Sequence, residues 1–139
     1  EKYKEFIIKK DDIVVALTRT IISEGAKVSI VPASFNKSLL NQRVAAIRIN
    51  DNELRKYIYI NLLGKNFYTY VENKSNTLMQ PNLSINDLKK YPIYLPKKEK
   101  IKKIVEEYDI EMNAINSNYK LLINIQKKIN NKINSIWSK

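Results

Sequence analysis

The apolar residues of this chain change their period near residue 97, and the change separates two kinds of structure. Before it, short β-branched runs alternate with polar stretches. Ile13-Val14-Val15-Ala16-Leu17 is a continuous apolar run of strand length and reads as a buried strand. Lys27-Val28-Ser29-Ile30-Val31 alternates and is stopped by Pro32, and Arg43-Val44-Ala45-Ala46-Ile47-Arg48-Ile49 predicts a third strand. Asn50-Asp51-Asn52 reads as a turn, with Asn52 capping a helix over residues 53–63 whose Leu54, Tyr57, Ile58 and Leu62 share a face. Gly64 is placed to end it. Residues 67–71 suggest a second short helix, and Ser84 with Asp87 three positions on is an N-cap signal for a third. Tyr91-Pro92-Ile93-Tyr94-Leu95-Pro96 must be extended, because its prolines bar a helix, and is expected as an edge strand.

From Lys97 to the end there is neither Pro nor Gly. Apolar residues fall at Ile101, Val105, Tyr108, Met112, Ile115, Tyr119, Leu122, Ile129, Ile133 and Ile136, with Gln126 at the one polar position of the series. Intervals alternating between four and three define a heptad seam, and a polar residue within it commonly sets register or oligomer state. A helix this long spans roughly 60 Å at a rise of about 1.5 Å per residue. A narrow seam on so long a rod suits pairing with a second helix; the plainer alternative is a terminal helix folded back on its own domain. The expected division is therefore residues 1–96 as a mixed α/β domain and 97–139 as a helical pairing or spacer arm. The lack of a starting Met, with a strand pattern so close to the first residue, is expected of a piece of a longer protein.

Composition narrows the chemistry. The 139 residues carry 25 Lys+Arg against 14 Asp+Glu, a formal charge of +11 that suits a polyanion. Part of the Lys and Asn content can reflect an AT-rich genome, and solubility or an anionic membrane surface are the other uses of such charge. With no Cys there is no disulfide framework or thiolate metal site, and with no His the commonest general base and metal ligand are gone. Gly-rich phosphate cradles are absent. Asp51, Glu72 and Lys74 resemble a nuclease's acidic cluster only loosely, and Glu72 reads better as a solvated helix residue. No catalytic residue and no metal ligand is assigned. No apolar run is long enough to cross a bilayer, so no membrane partner and a cytoplasmic location are expected.

The polar loops carry more. Thr18, Arg19 and Thr20 stand where a buried strand ends, and Arg19 suits either guanine or a phosphate. Lys27 opens the second strand. Asn36, Lys37 and Ser38, then Asn41, Gln42 and Arg43, precede the third strand; Asn and Gln pair with adenine, while Lys and Ser hold phosphates. Lys74, Ser75, Asn76, Gln80 and Asn82 form a third polar stretch. The competing use of each residue is local: turn capping for the amides, carbonyl bonding for Arg19. Most of the nine tyrosines are expected in packing, with Tyr68 and Tyr70 the one pair considered for a DNA surface.

Taken in order, these pieces match a known pattern. Asp12-Ile13-Val14-Val15-Ala16-Leu17-Thr18, Leu40-Asn41-Gln42-Arg43-Val44, the helix from Glu53, Met79-Gln80-Pro81-Asn82-Leu83-Ser84, and Ile93-Tyr94-Leu95-Pro96 running through Lys102-Lys103-Ile104-Val105 span nearly the whole chain. The chain resembles the target-recognition domain of Type I restriction–modification specificity subunits, and the related specificity regions fused to Type IIG enzymes. It departs from them at Asp11, where the family usually has Gly, and at Lys98-Glu99-Lys100, which blurs a Glu-Gln pair; the first part of the usual domain is also expected to be missing.

The resemblance implies an α/β (α+β) target-recognition domain with a long C-terminal coiled-coil helix, in a bacterial or archaeal cytoplasm. It implies recognition of one half of a bipartite double-stranded DNA target. The long helix pairs with a second one, from another copy or from the other half of the parent chain. Adenine-N6 methyltransferase and restriction endonuclease subunits supply catalysis, with S-adenosylmethionine, and Mg2+ and ATP for restriction, bound on those partners and none on this chain. The competing readings are a coiled-coil assembly module with a non-specific basic surface, and the C-terminal specificity part of a single-chain Type IIG enzyme.

Overall fold

The computed structural model describes residues 3–23, 25–74 and 82–137. The β-branched run forms β1 (Ile13–Ala16), and it becomes the middle strand of a sheet. β2 (Ile21–Ile22) and β3 (Gly25–Ala26) form a small hairpin that continues from it, and β4 (Val28–Ile30) returns antiparallel, with Ile13 opposite Ile30. β5 (Val44–Ile47) pairs antiparallel on the other side, with Ala16 opposite Val44, which gives the order β4-β1-β5. Short 3-10 turns at Lys4–Phe6 and Ala33–Phe35 precede β1 and follow β4.

Four helices complete the described chain: α1 (Asn52–Leu63), α2 (Lys65–Lys74), α3 (Ile85–Lys90) and α4 (Lys98–Trp137). The cap of α1 is Asp51 rather than Asn52: its carboxylate accepts the N–H of Leu54 at 2.8 Å, and Asn52 is already helical. Either residue type caps well, so the one-residue difference is decided by where the strand releases the chain. Gly64 ends α1 in an extended conformation, without the left-handed geometry that favours glycine. Ser84 caps α3 as expected, accepting from the N–H of Asp87.

Alternation in β1 divides the sheet. Ile13 and Val15 are fully buried and join Leu62, Phe67, Val71 and Leu83 in the core. Each such side chain contributes about 1.5–3 kcal/mol when withdrawn from water. Tyr91 closes the cluster, with its ring 4.9 Å from Phe67 and 5.0 Å from Tyr70. The expected edge strand at residues 91–96 is absent: the segment has no regular secondary structure and pairs with no described strand. Its two prolines lack donors, and the Tyr57 hydroxyl donates to the Tyr94 carbonyl at 2.7 Å where a ladder bond is missing.

The chain divides into two units, residues 1–101 and 102–139. Sheet, core and α1–α3 belong to the first, giving a mixed α/β domain. The described part of the second is the helix that carries the heptad seam. Along it Ile115, Tyr119, Leu122, Ile129, Ile133 and Ile136 are all exposed. No described helix is long and apolar enough to cross a membrane.

Candidate nucleic-acid interface

The site begins with a break in a ladder. Ala16 donates its N–H to the Lys27 carbonyl at 3.0 Å, and Lys27 donates its own to the Thr20 carbonyl at 2.7 Å. One residue of the returning strand thus faces both Ala16 and Thr20, so Leu17, Thr18 and Arg19 must bulge out between them. Arg19 takes the turn at φ 48°, a left-handed conformation that costs an L-residue about 1–2 kcal/mol.

Neighbouring segments hold the bulge in place. The Arg19 N–H donates to Asn82 Oδ1 at 3.1 Å, and the Leu83 N–H donates to the Leu17 carbonyl at 2.8 Å. The Leu17 N–H donates to the Arg43 carbonyl at 2.8 Å, which brings the approach to β5 alongside. There Asn41 folds a local turn: its Oδ1 accepts from the Arg43 N–H at 3.0 Å and its carbonyl from the Val44 N–H. Because both sheet partners of β1 are antiparallel, Lys27 and Arg43 necessarily flank the end at which Arg19 protrudes.

Thr18, Arg19, Lys27, Asn41, Gln42, Arg43 and Asn82 therefore converge on the C-terminal end of β1. All are exposed except Lys27, which is half-buried. Among the described residues neither the Arg19 nor the Arg43 guanidinium has an acidic partner. Beside them the outer sheet face presents small side chains, and a hollow of about 310 Å³ is lined by Val14, Ala16, Lys27, Val28, Ser29 and Val44. Asn82 and Asn41 each commit an amide oxygen to the backbone, so their NH2 groups are what remain to face a ligand.

Other expected residues lie elsewhere. Thr20 is fully buried and its hydroxyl finds no partner among the described residues, so it is a packing residue and not part of the surface. Asn36, Lys37 and Ser38 sit at the opposite end of β1. Ile8 exchanges hydrogen bonds there with Lys37 and Ser38, and Asn36 Oδ1 accepts from the Lys10 N–H at 3.0 Å. The structure does not bring this group together with the others. Lys74 ends α2 with its ammonium 5.7 Å from the centre of the Tyr70 ring. Ser75, Asn76 and Gln80 lie outside the described residues. Tyr70 is structural: its hydroxyl donates to the Asp87 carbonyl at 2.9 Å, and its ring packs on Tyr91. Burial pushes the Tyr91 hydroxyl above its ordinary pKa.

The sequence reading missed a clamp at that opposite end. Arg48 Nε donates to Asp12 Oδ1 at 2.9 Å, Nη2 to Oδ2 at 2.7 Å, and Nη2 also to the Ile7 carbonyl. Asp12 is 3% exposed. Burial pushes its carboxyl up, but the Arg48 bonds, the Lys9 N–H and the nearby positive charges together outweigh that and hold it below the usual value. Arg48 is raised in turn, chiefly by its bond to Asp12. The available signal was an Asp-Asp pair before a buried strand and an arginine near the end of another. Asp51 serves as a cap, and no group of three potential metal ligands is gathered among the described residues.

A family model described as the Type I restriction modification DNA specificity domain matches residues 1–135. No curated protein matches the chain.

Proposed function

Because the chain belongs to the Type I restriction modification DNA specificity domain family, we propose that it reads one half of a split DNA target through the groups gathered at the C-terminal end of β1. The observation that supports this is the convergence of two guanidiniums, without an acidic partner among the described residues, with the Gln42, Asn41 and Asn82 amides on a bulge tied down from two sides. Arg19 or Arg43 can fork to guanine O6 and N7, Gln42 can pair with adenine, and the small outer side chains of β1 and β5 can meet a thymine methyl. Lys27, beside the same bulge, can neutralise a phosphate. Rigidity matters here, because a side chain held in place before binding loses less freedom on docking.

On this reading the seam of α4, buried at Ile101 and Val105 and exposed from Ile115 onward, pairs over its exposed part with a second long helix, and the pair holds two reading domains apart. Methylation of adenine N6 and DNA cleavage belong to partner subunits, which also hold S-adenosylmethionine, Mg2+ and ATP. The test is to map methylated adenines in cells whose restriction–modification complex carries Gln42→Ala or Asn41→Ala. The pattern should relax or shift at one half of the target while methylation continues. An unchanged pattern with both variants removes these residues from the reading surface.

A further inference from the structure

Charge is distributed unevenly along the second unit. Residues 102–112 hold all four of its acidic groups, Glu106, Glu107, Asp109 and Glu111. The two lysines of that stretch are already matched: Lys102 lies 3.8 Å from Glu106 and Lys103 3.8 Å from Glu107. Residues 113–137 contain four lysines, at 120, 127, 128 and 132, and no Asp or Glu. All four are exposed, and among the described residues none has an ionic partner. Lys120 and Lys127 stand two helical turns apart on one face, Lys128 lies beside them, and all three fall opposite the apolar seam; Lys132 flanks it. Apart from Gln126 and Tyr119 in the seam, the rest of the polar surface is asparagine and serine, with Asn113, Asn116, Asn118, Asn124, Asn130 and Asn131 among it.

We infer that this outer face of the arm is a second, sequence-independent DNA contact that holds the phosphate backbone. The inference rests on the reading of the chain as a DNA-binding domain, but on different residues. Lysine, asparagine and serine are side chains that meet phosphate and sugar, and no carboxylate stands among them to repel a strand. From Lys120 to Lys132 the helix advances roughly 18 Å, over which a duplex presents about ten phosphate charges. A membrane is the poorer partner, because the seam residues a bilayer would take up lie on the side opposite three of the four lysines, and in residues 113–137 Leu121 is the one large apolar side chain on the lysine face. Pairing through the seam leaves the lysine face outward, so both uses coexist.

The test compares the whole chain with a form carrying Lys120→Gln, Lys127→Gln, Lys128→Gln and Lys132→Gln, binding a random-sequence duplex across a salt series. Each phosphate contact contributes about 0.9 to the slope of log affinity against log salt, so with all four lysines engaged the slope should flatten by about 3.6. The same four positions changed to Arg should keep the wild-type slope. Sedimentation and helix content should be unaltered, since glutamine is a good helix former and the seam is untouched. If the fourfold variant loses its helix, Lys120→Gln and Lys127→Gln singly should each flatten the slope by about 0.9, and no change in either overturns the inference. An unchanged slope in the fourfold variant, while Arg19→Ala still weakens binding, overturns the arm contact alone. A wild-type chain that binds no duplex at all removes the DNA-binding reading as well. Binding to phosphatidylserine vesicles that the Gln changes abolish, with the DNA slope intact, gives the face to a membrane and also overturns it.

Discussion

At both ends of β1 a residue is held left-handed and an asparagine side chain ties down a backbone N–H, yet the arginines are used in opposite ways. At the N-terminal end Asp11 and Lys37 have φ 70° and 68°, Asn36 holds Lys10, and Arg48 makes three hydrogen bonds to Asp12 and Ile7. At the C-terminal end Arg19 has φ 48°, Asn82 holds it, and the guanidiniums of Arg19 and Arg43 have no acidic partner among the described residues. A guanidinium matched by a buried carboxylate has little capacity left for a phosphate or a base edge. An unmatched one on a fixed bulge has all of it. Net charge counts both alike, so the contrast between the two ends says more than the total of +11.

The sharpest way to break the contrast is to remove the unmatched pair. Arg19→Ala with Arg43→Ala should weaken DNA binding by about 2–6 kcal/mol, taking each contact as about 1–3 kcal/mol. The melting temperature should hardly move, because neither side chain supports the fold. Anisotropy titration with duplex DNA and a thermal melt measure the two quantities separately. Retained affinity would take the site away from this end of the strand.

Arg48→Ala should do the reverse. It leaves a carboxylate that is 3% exposed without its main partner, and loss of such charged hydrogen bonds costs about 1.5–3 kcal/mol of stability. Affinity for DNA, measured where the variant is still folded, should not change. Acid sharpens the point. Asp12 is held below its ordinary value, so its contribution is fully present above an unfolded-state pKa of about 3.9 and is lost as pH falls through the depressed folded value. Urea midpoints taken through that acid range should fall in the native chain, and by less in Arg48→Ala. Equal acid sensitivity in both would mean the clamp is not the source.

Asn82→Ala joins the two kinds of effect at one end. It removes the acceptor for the Arg19 N–H, and an ordinary hydrogen bond contributes about 1 kcal/mol. Stability should fall by about that much and affinity with it, because the bulge that presents Arg19 is loosened. A loss of stability with unchanged affinity would show that Arg19 is not the group DNA sees.

Much of the scaffold was legible in the chain because it depends on local patterns. β-branched runs marked the three strands, Ser84 and Asp87 marked the start of α3, and the heptad spacing marked α4. What the pattern could not supply was which loops meet. Residues 36–38 and 41–43 are neighbours in sequence and precede the same strand, and nothing in the sequence pattern separates them. The fold separates them because the chain between pairs Leu39 with Ile7 and runs back along the sheet. Conversely, Arg19 and Asn82 are 63 positions apart and touch. Polar residues also conceal their use: Asn36, Asn41 and Asn82 look alike in sequence, and each turns out to secure backbone with its amide oxygen. Thr20 belonged to a promising triplet, but the return of Lys27 onto its carbonyl turns it inward.

The smallest expected effect tests whether left-handed strain at the clamped end is structural only. Asp11 sits at φ 70°, a conformation that glycine adopts without steric conflict. Its partly exposed carboxylate offers partial compensation, at 3.8 Å from the half-buried Arg55 and 3.9 Å from the exposed Lys10, long pairs that contribute about 0–1 kcal/mol. Asp11→Gly should relieve the strain and lose those weak pairs while gaining freedom in the unfolded chain, for a net stabilisation below about 1 kcal/mol. Asp11→Ala keeps the strain and loses the pairs, so it should destabilise by a similar small amount. The opposite signs, read from urea midpoints, are the informative result, since two losses would mean the ion pairs outweigh the backbone. DNA affinity should be the same in both, because the change lies at the far end of β1 from Arg19; a shift in affinity would show that the two ends communicate through the strand.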